Sequence, residues 1–285
     1  MTTARIVTAL FTLVCVASCE TISTREIAGD GFYQDVSWSP DSRRIAYSRL
    51  RNGEWAVFVS RRDGADERRL SSVGVNATWT SWAPNGVELA FAAGAQGRTD
   101  IVAVSVRGPI AERKITTDGA SNSSPAWSPD GKRLVFASRG SGKSHLYLVN
   151  ANGSERRALT SGDGNEWGPS WSADGKRILF YSDRRGKLDT VCRVDASGGN
   201  EQLLTPPTIH AIYPSWAPGG EVVFAAANEG QQREIMVVSR NGATRRLGLH
   251  GFFARVSPDG KHIAVIDGAY PRSHVTIGSY QGPPR

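Results

Sequence analysis

The sequence predicts an all-β fold, a six-bladed β-propeller with four-stranded antiparallel blades. The first observation is a turn motif, Trp-Ser-Pro-Asp-Gly at 127–131 in its most complete form, which recurs six times at intervals of 40 to 45 residues. The second is that each motif is followed by extended apolar runs in a constant order, with an Asn-Gly or Asp-Gly type of turn between the last two. No long amphipathic helical pattern follows the N-terminus. A fixed period of this length with four extended runs per repeat is typical of propeller blades.

The six motifs have the same construction. They start at Trp38, Trp82, Trp127, Trp171, Trp216 and Val256. Proline suits the second position of a turn because its φ is fixed, and glycine accepts the left-handed conformation. The tryptophans have two interpretations. Their regular occurrence beside the turn favours packing between neighbouring blades, and the alternative is an aromatic ring that binds a ligand.

The N-terminal residues 1–18 read as a signal peptide, with a basic start, an apolar run and small residues. The apolar run is too short to span a bilayer. The end of this segment resembles a bacterial lipobox, which implies cleavage before Cys19 and acylation of that residue. We therefore expect a periplasmic lipoprotein with residues 19–23 as a short tether, and Glu20 favours the outer membrane over the inner one. Ordinary signal cleavage, giving a freely diffusing periplasmic protein, is the alternative.

The segment that follows is predicted to close the propeller. Ile27 precedes Trp38 by 11 residues, and in later repeats the matching residue of the fourth run precedes the motif by 12. The last repeat has only three extended runs. We therefore predict that residues 24–28 supply the outer strand of the last blade, and that residues 24–285 form one propeller domain.

The charge distribution favours some partners over others. The formal net charge is +7 at pH 7, spread over many turns. Arginine pairs start the fourth run of three repeats, at 68–69, 156–157 and 245–246. They are interpreted as a charged outer edge that discourages sheet aggregation, or alternatively as attraction for an anionic partner. No nucleic-acid-binding motif accompanies the charge, so no nucleic acid partner is expected.

The sequence predicts neither a cofactor nor a metal, and no catalytic residue. The five histidines lack the spacing of metal ligands, and the repeated Asp of the turn motif is explained by turn chemistry. Residues 137–144 resemble a phosphate-binding loop, but a strand-like run follows where a helix is required. Cys192 stands alone after the N-terminal segment and is expected to be a buried, unreactive thiol. The sequence lacks a Gly-x-Ser-x-Gly nucleophile turn.

A binding face is predicted where the first strand of each repeat begins, because propellers usually bind partners at the axial channel. The segments there mix aromatic and polar residues, as recognition surfaces do. The candidate residues are Tyr33, Trp79, Glu166, Trp167, His210, Tyr213 and Phe252.

The repeats resemble those of the TolB family propeller over residues 24–280. The resemblance rests on the Trp-Ser-Pro-Asp-Gly-Lys-Arg turn at 127–133, the strand after it and the Asn-Gly turn at 152–153, repeated in register. It implies a six-bladed propeller of the bacterial periplasm that binds envelope proteins, including the peptidoglycan-associated lipoprotein.

Three functions are consistent with these features. The first is a non-enzymatic, monomeric envelope protein that docks a protein or peptide at its axial face and is held on the membrane by its lipid. The second is a glycan or small-molecule site in the central channel, with hydrolase or lyase activity, because propellers host many chemistries. The third is a subunit of a larger surface assembly, which requires a large exposed apolar patch.

Overall fold

The structure is a computed structural model that describes residues 24–28, 31–72, 74–95, 97–140, 142–227, 232–269 and 272–282. The predicted signal peptide, the tether and Cys19 lie outside the described residues. The described residues form strands and turns. None of them belongs to a helix long and apolar enough to cross a bilayer.

The strands follow the predicted repeats. The N-terminal strand is β1, Thr24–Ala28. The first repeat forms a four-stranded sheet of β2 Phe32–Trp38, β3 Arg44–Arg51, β4 Glu54–Arg61 and β5 Arg68–Arg69. The next strands are β6 Asn76–Trp82, β7 Glu88–Ala95, β8 Arg98–Ser105, β9 Glu112–Lys114, β10 Ser121–Trp127, β11 Arg133–Arg139, β12 Ser144–Asn150 and β13 Arg157–Ala158. They form a single sheet of eight strands.

The remaining sheets have four strands each. The fourth repeat consists of β14 Glu166–Trp171, β15 Arg177–Ser182, β16 Thr190–Asp195 and β17 Gln202–Leu203. The fifth consists of β18 His210–Trp216, β19 Val222–Ala227, β20 Glu234–Val238 and β21 Thr244–His250. The last contains β22 Phe253–Val256, β23 His262–Ala269 and β24 Arg272–Ser279. Its fourth strand is β1.

The prediction of six four-stranded blades is wrong. The structure has four separate four-stranded blades, and the other eight strands share one sheet. The two halves of that sheet are joined where β8 and β10 pair in parallel at Thr99 and Ser121. The Thr99 hydroxyl donates to the Asn122 carbonyl at 2.6 Å, and the Thr99 N–H donates to the Ala120 carbonyl at 3.3 Å. The equivalent two bonds join the last repeat to the first, from the Ser273 hydroxyl to the Tyr33 carbonyl at 3.2 Å and from the Ser273 N–H to the Gly31 carbonyl at 3.1 Å. Those two sheets nevertheless stay separate, so the eight-stranded sheet differs from the other blade contacts only by the parallel pairing of Thr99 with Ser121.

The prediction for the N-terminal strand is confirmed. β1 pairs antiparallel with β24, with Thr24 opposite Gly278 and Arg25 opposite Ile277. His274 Nδ1 lies 3.0 Å from Glu26 Oε1 across the same pair. The last blade is therefore completed by residues from the opposite end of the chain.

The inner strands of the repeats form a closed ring around a central channel. β2, β6, β10, β14, β18 and β22 contact one another in that order, and β22 contacts β2. Six apolar clusters lie between consecutive repeats, and each contains the motif Trp or Val256, buried or partly buried. Trp38 Nε1 donates to the Arg255 carbonyl at 2.9 Å, and Trp171 Nε1 donates to the Ala126 carbonyl at 3.1 Å. Both bonds reach the preceding repeat, which confirms the packing role of these side chains.

The repeated Asp residues accept hydrogen bonds from groups within their own turns. Asp130 Oδ1 accepts from the Ser128 hydroxyl at 2.6 Å and from the Lys132 N–H at 3.0 Å. The hydrogen bond from Ser128 lowers the pKa of Asp130. Gly131 has a φ of 68°, which glycine adopts at little cost. The same bonds recur at Asp41, Asp174 and Asp259.

Candidate functional site

The middle of the channel is lined by the residues three positions before each motif. They are Asp35, Trp79, Ser124, Gly168, Tyr213 and Phe253. In the middle four repeats this residue has a positive φ of 51° to 64°, at a register shift between the first two strands. A bulge of this kind redirects a side chain. It explains how a strand whose apolar residues face neighbouring sheets also places a side chain in the channel.

Aromatic rings close the channel at this level. Trp79 in the second repeat and Tyr213 in the fifth belong to opposite sides of the ring, yet their ring centroids are 5.5 Å apart. Phe253 lies 5.2 Å from Tyr213, and Tyr181 lies 5.1 Å from it. Burial raises the pKa of the Tyr213 hydroxyl. These rings, which we call the aromatic plug, leave a space of only about 30 Å³.

A buried carboxylate supports the plug. Asp35 is 1% exposed, and its Oδ2 accepts from the Trp79 N–H at 2.7 Å and from the Ser48 hydroxyl. Its Oδ1 accepts from the Thr80 N–H at 2.8 Å and from the Thr80 hydroxyl at 2.7 Å. Asp35 therefore ties β2 to β6 and holds Trp79 in its left-handed conformation. Asp35 was not among the residues predicted from the sequence, although it is the only charged one at its position in the six repeats.

An open cavity of about 390 Å³ lies beside the plug, at the end of the channel where the turn motifs lie. We call this end the turn end and the opposite one the far end. The wall contains indole edges of Trp38, Trp82, Trp127 and Trp171, prolines 40, 84, 129 and 258, and the hydroxyl residues Ser37, Thr80, Ser81 and Ser170. Among the described residues of this wall, Arg255 is the only one with an ionisable side chain. The cavity therefore offers aromatic, apolar and hydroxyl surface with a single cation.

Arg255 lies between the cavity and the plug. Its Nη1 donates to the carbonyls of Ala254 at 2.9 Å and Tyr213 at 3.2 Å, and its guanidinium lies 4.0 Å from the Phe253 ring centroid. Burial lowers the pKa of Arg255 to about 10, so the side chain is still a cation at neutral pH. Arg255 was not among the residues predicted from the sequence. The available signal was its position, because the residue before each of the other five motifs is Ser or Ala.

The seven predicted binding residues do not form one surface. Tyr33 and Glu166 are fully buried, and the Tyr33 N–H donates to the Ser273 hydroxyl at 2.7 Å. Trp79 and Tyr213 belong to the plug, and Trp167 packs nearby with its centroid 5.5 Å from that of Tyr181. Half-buried Phe252 contacts Phe32 instead, at 6.4 Å between centroids. The structure therefore brings three of the seven together.

Two charged networks lie towards the far end. Glu166 contacts Arg184 and accepts from the Thr160 hydroxyl, and Arg184 also bonds Glu201 at 2.6 Å. Burial and the charge of Arg184 lower the pKa of nearby His145. 

In the second network, His210 Nε2 lies 2.9 Å from Asp189 Oδ2, and Arg233 Nη2 lies 3.4 Å from His210 Nδ1. Since the arginine can only donate, His210 Nδ1 is the acceptor, and both ring nitrogens are engaged. Within the part of the chain that the structure describes, no three His, Cys, Asp or Glu side chains are grouped so as to hold a metal ion. Cys192 is buried, and burial raises its pKa to about 11.

Comparisons with known proteins show which families and solved structures this architecture resembles. A family model described as the TolB beta propeller domain matches residues 33–253. No curated protein matches the sequence significantly. Similar solved structures include a putative TolB from Agrobacterium tumefaciens, with 18% identity, a TM-score of 0.70, and coverage of 88% of this chain and 91% of that chain. TolB from Acinetobacter baumannii has 18% identity and a TM-score of 0.67, and the match covers 90% of this chain but only 65% of that chain.

A third similar structure is XC5397 from Xanthomonas campestris, described as a gluconolactonase. It has 12% identity and a TM-score of 0.71, with 92% of this chain and 91% of that chain covered. Likenesses at these identities show the fold alone. The family match spans more than half of the sequence, and with it the chain belongs to the TolB beta propeller domain family.

Proposed function

We propose that the protein is a non-enzymatic binding protein of the bacterial cell envelope, which docks a protein or peptide in the cavity at the turn end of its channel. The observation that carries this proposal is the open cavity with its aromatic, proline and hydroxyl wall. Aromatic side chains are enriched in recognition surfaces, and aromatic-lined grooves bind extended peptides. The proposal moves the docking site from the far end, where the sequence placed it, to the turn end.

The composition of the cavity wall favours binding over catalysis. General acid–base chemistry needs a proton donor or acceptor of suitable pKa within reach of the ligand. Among the described wall residues, only Arg255 has an ionisable side chain, and arginine stays protonated. The assembly-subunit function has less support, since the large apolar side chains exposed among the described residues are Ile110 and Leu203.

The proposed location is the periplasm, with the lipid at Cys19 holding the protein on the outer membrane. It rests on the signal and lipobox pattern of the sequence and on membership of the TolB beta propeller family. The resemblance to the TolB family makes a peptidoglycan-associated lipoprotein the first partner to test. The protein would act as a monomer.

Photo-crosslinking in intact cells tests this proposal. A photoreactive amino acid is introduced at exposed Pro84 on the turn-end rim, and in a second variant at Phe252 near the far end. We expect a discrete crosslinked product from position 84 and none from position 252. Adding Ser170→Trp, which fills the cavity from its wall, should remove the product. Crosslinking from position 252 that survives Ser170→Trp would refute docking at the turn end.

A sugar-processing function is the second candidate. It is favoured by the Asp189–His210 pair near the far end and by the fold likeness to a protein described as a gluconolactonase. Incubation of the purified protein with lactones and with oligogalacturonates tests it. Turnover that is lost in His210→Gln would establish this function in place of the first.

A further inference from the structure

The last repeat departs from the other five at two adjacent positions of its inner strand. Where they have a small residue followed by Trp, it has Arg255 followed by Val256. A smaller side chain at the packing position is thus combined with a larger one at the channel position. Val256 still packs between the last two sheets, so Arg255 does not replace the missing Trp in the apolar cluster. The substitution therefore places a cation in the channel, where it donates to the Tyr213 carbonyl of the preceding repeat.

Arg255 retains unused hydrogen-bonding capacity. Its bonds to the Ala254 and Tyr213 carbonyls both come from Nη1. Within the described part of the chain, Nη2 and Nε donate to no acceptor and no carboxylate forms an ion pair with the guanidinium. The nearest buried carboxylate, Asp35, already accepts four hydrogen bonds. The N–H groups of Nε and Nη2 are therefore available beside the cavity. A guanidinium can donate two parallel hydrogen bonds to the two oxygens of a carboxylate.

The shape of the cavity restricts what can bring a carboxylate to Arg255. The aromatic plug closes the channel directly beyond this residue, since Trp79 and Tyr213 meet across the axis. The cavity therefore has one mouth and a closed floor. A chain that enters must end there or turn back, and about 390 Å³ is at the small end of the usual range for ligand pockets. A chain terminus fits this shape better than a loop does.

Charged residues at the rim occur in pairs of opposite sign. Four of the turns carry an exposed basic residue directly after Asp-Gly or Asp-Ser, namely Arg43, Lys132, Lys176 and Lys261. The Asp of each of these turns accepts bonds from its own Ser hydroxyl and backbone, and its carboxylate offsets the charge of the basic residue beside it. Each of these pairs is therefore neutral overall, and the preference for an anionic chain end comes from Arg255 inside the cavity.

We propose that the turn-end cavity binds the free carboxyl terminus of a polypeptide, with Arg255 pairing with its terminal carboxylate. This inference rests on the proposed function and adds the chemistry by which the partner is recognised. The last residues of the bound chain lie against the indole edges and prolines, and the carboxylate reaches the floor of the cavity. A chain whose terminus is blocked loses the ion pair and keeps only the contacts with the wall.

Binding of peptide pools measures this preference. The probes are N-acetylated octapeptides of randomised sequence, in one pool with free carboxyl termini and in another with terminal amides, and the readout is quenching of tryptophan fluorescence. We expect the free acids to bind roughly 10- to 100-fold more tightly than the amides, the range for one charge-assisted interaction. Arg255→Met should abolish that difference, and Arg255→Lys should keep part of it. Arg113→Met, which removes an exposed guanidinium that bonds the Ala151 carbonyl at the outer edge, should leave it unchanged.

The outcomes separate this inference from the proposed function. Equal binding of acids and amides would overturn the carboxylate inference and leave peptide docking in place. A preference for acids that survives Arg255→Met, in a variant whose circular dichroism shows the native fold, would also overturn it. Binding of trigalacturonate, a sugar acid, with no binding of either peptide pool would overturn both the inference and the proposed function.

Discussion

The most constrained side chain of the channel is Asp35. It is a buried carboxylate whose two oxygens accept bonds from Ser48, Trp79 and Thr80. A buried charge is tolerated when it is fully hydrogen-bonded. Three of its donors belong to residues of β6. The hydrogen bonds that satisfy this carboxylate therefore also fix the conformation of the neighbouring inner strand. The positive φ of Trp79, 64°, is unusual for a large residue, and the bond to its N–H compensates for it.

Removing this carboxylate should strongly destabilise the protein. We expect Asp35→Ala to lower the free energy of unfolding by about 3 to 5 kcal/mol, because buried donors lose their acceptor. Asp35→Asn keeps one acceptor oxygen and should lose less. Urea unfolding followed by tryptophan fluorescence measures both. An alanine variant within about 0.5 kcal/mol of the native protein would show that Asp35 does not hold β2 and β6 together.

The stabilisation that the Asp of the turn motif contributes depends on pH. The pKa of Asp130 lies below its ordinary value of 3.8, first because of the bond from the Ser128 hydroxyl and then because of the Lys132 N–H. A lowered pKa in the folded state means that the stabilisation is fully present above the unfolded value. It is lost as the pH falls through the folded value.

A comparison of two turns tests the direction of this pH dependence. Asp130→Ala should cost about 1 kcal/mol at pH 7, and the cost should shrink as the pH falls below the ordinary value of 3.8. The second motif is a natural control, because uncharged Asn85 accepts from the Val87 N–H at 2.8 Å in the same way. Asn85→Ala should cost a similar amount at both pH values. Urea unfolding at pH 7 and pH 3 measures the difference, and a parallel pH dependence in the two variants would contradict the assignment.

At the scale of strands, the arginines at the outer edge have a role that their charge did not suggest. Arg68 donates to the Val106 carbonyl at 3.3 Å and to the Gly108 carbonyl. Arg113, Arg157 and Arg245 donate to the carbonyls of Ala151, Ala196 and Gln281 at 2.8 to 3.2 Å. In each case the acceptor belongs to the following repeat. These side chains therefore link consecutive repeats at the perimeter, in addition to covering a sheet edge.

The strands and turns were largely predictable from sequence, because Ser-Pro-Asp-Gly specifies a turn and the runs beside it are rich in β-branched and aromatic residues. The grouping of strands into sheets was not, since it depends on one parallel pairing, between Thr99 and Ser121 of neighbouring repeats. Trp79 and Tyr213 were expected at the channel, and both belong to the aromatic plug. The bulges that turn them inward and the roles of Asp35 and Arg255 were not predictable, because the residue pattern of a strand does not show where a bulge interrupts its alternation.

At the scale of the whole molecule, the ring depends on the pairing of β1 with β24. The pair joins residues about 250 positions apart in the chain and completes the last blade. Its formation needs both ends of the domain, so it holds the first and last repeats together.

A disulfide across this pair tests the closure. Glu26 and Thr276 are opposite each other, and Glu26→Cys with Thr276→Cys, in a Cys19→Ser background, should form an intramolecular bond on oxidation. We expect stabilisation of about 2 to 4 kcal/mol relative to the reduced form, measured by denaturation with and without reductant. Glu26→Cys with Ser105→Cys, in a different sheet, should form no such bond. Failure of the first pair to oxidise would contradict the register of β1.

The direction of β1 has a consequence for how the protein sits in the envelope. Thr24 pairs with Gly278, close to where the Tyr280 N–H bonds the Lys261 carbonyl, so the chain enters the ring on the side of the cavity mouth. Only residues 19–23 separate Thr24 from the proposed acyl chains, and five residues extend at most about 17 Å. In a lipidated protein the mouth of the turn-end cavity would therefore face the bilayer, and a gap of only a few side-chain lengths would separate the two. Ligands would then reach it sideways along the membrane surface or as tails of other surface-bound proteins.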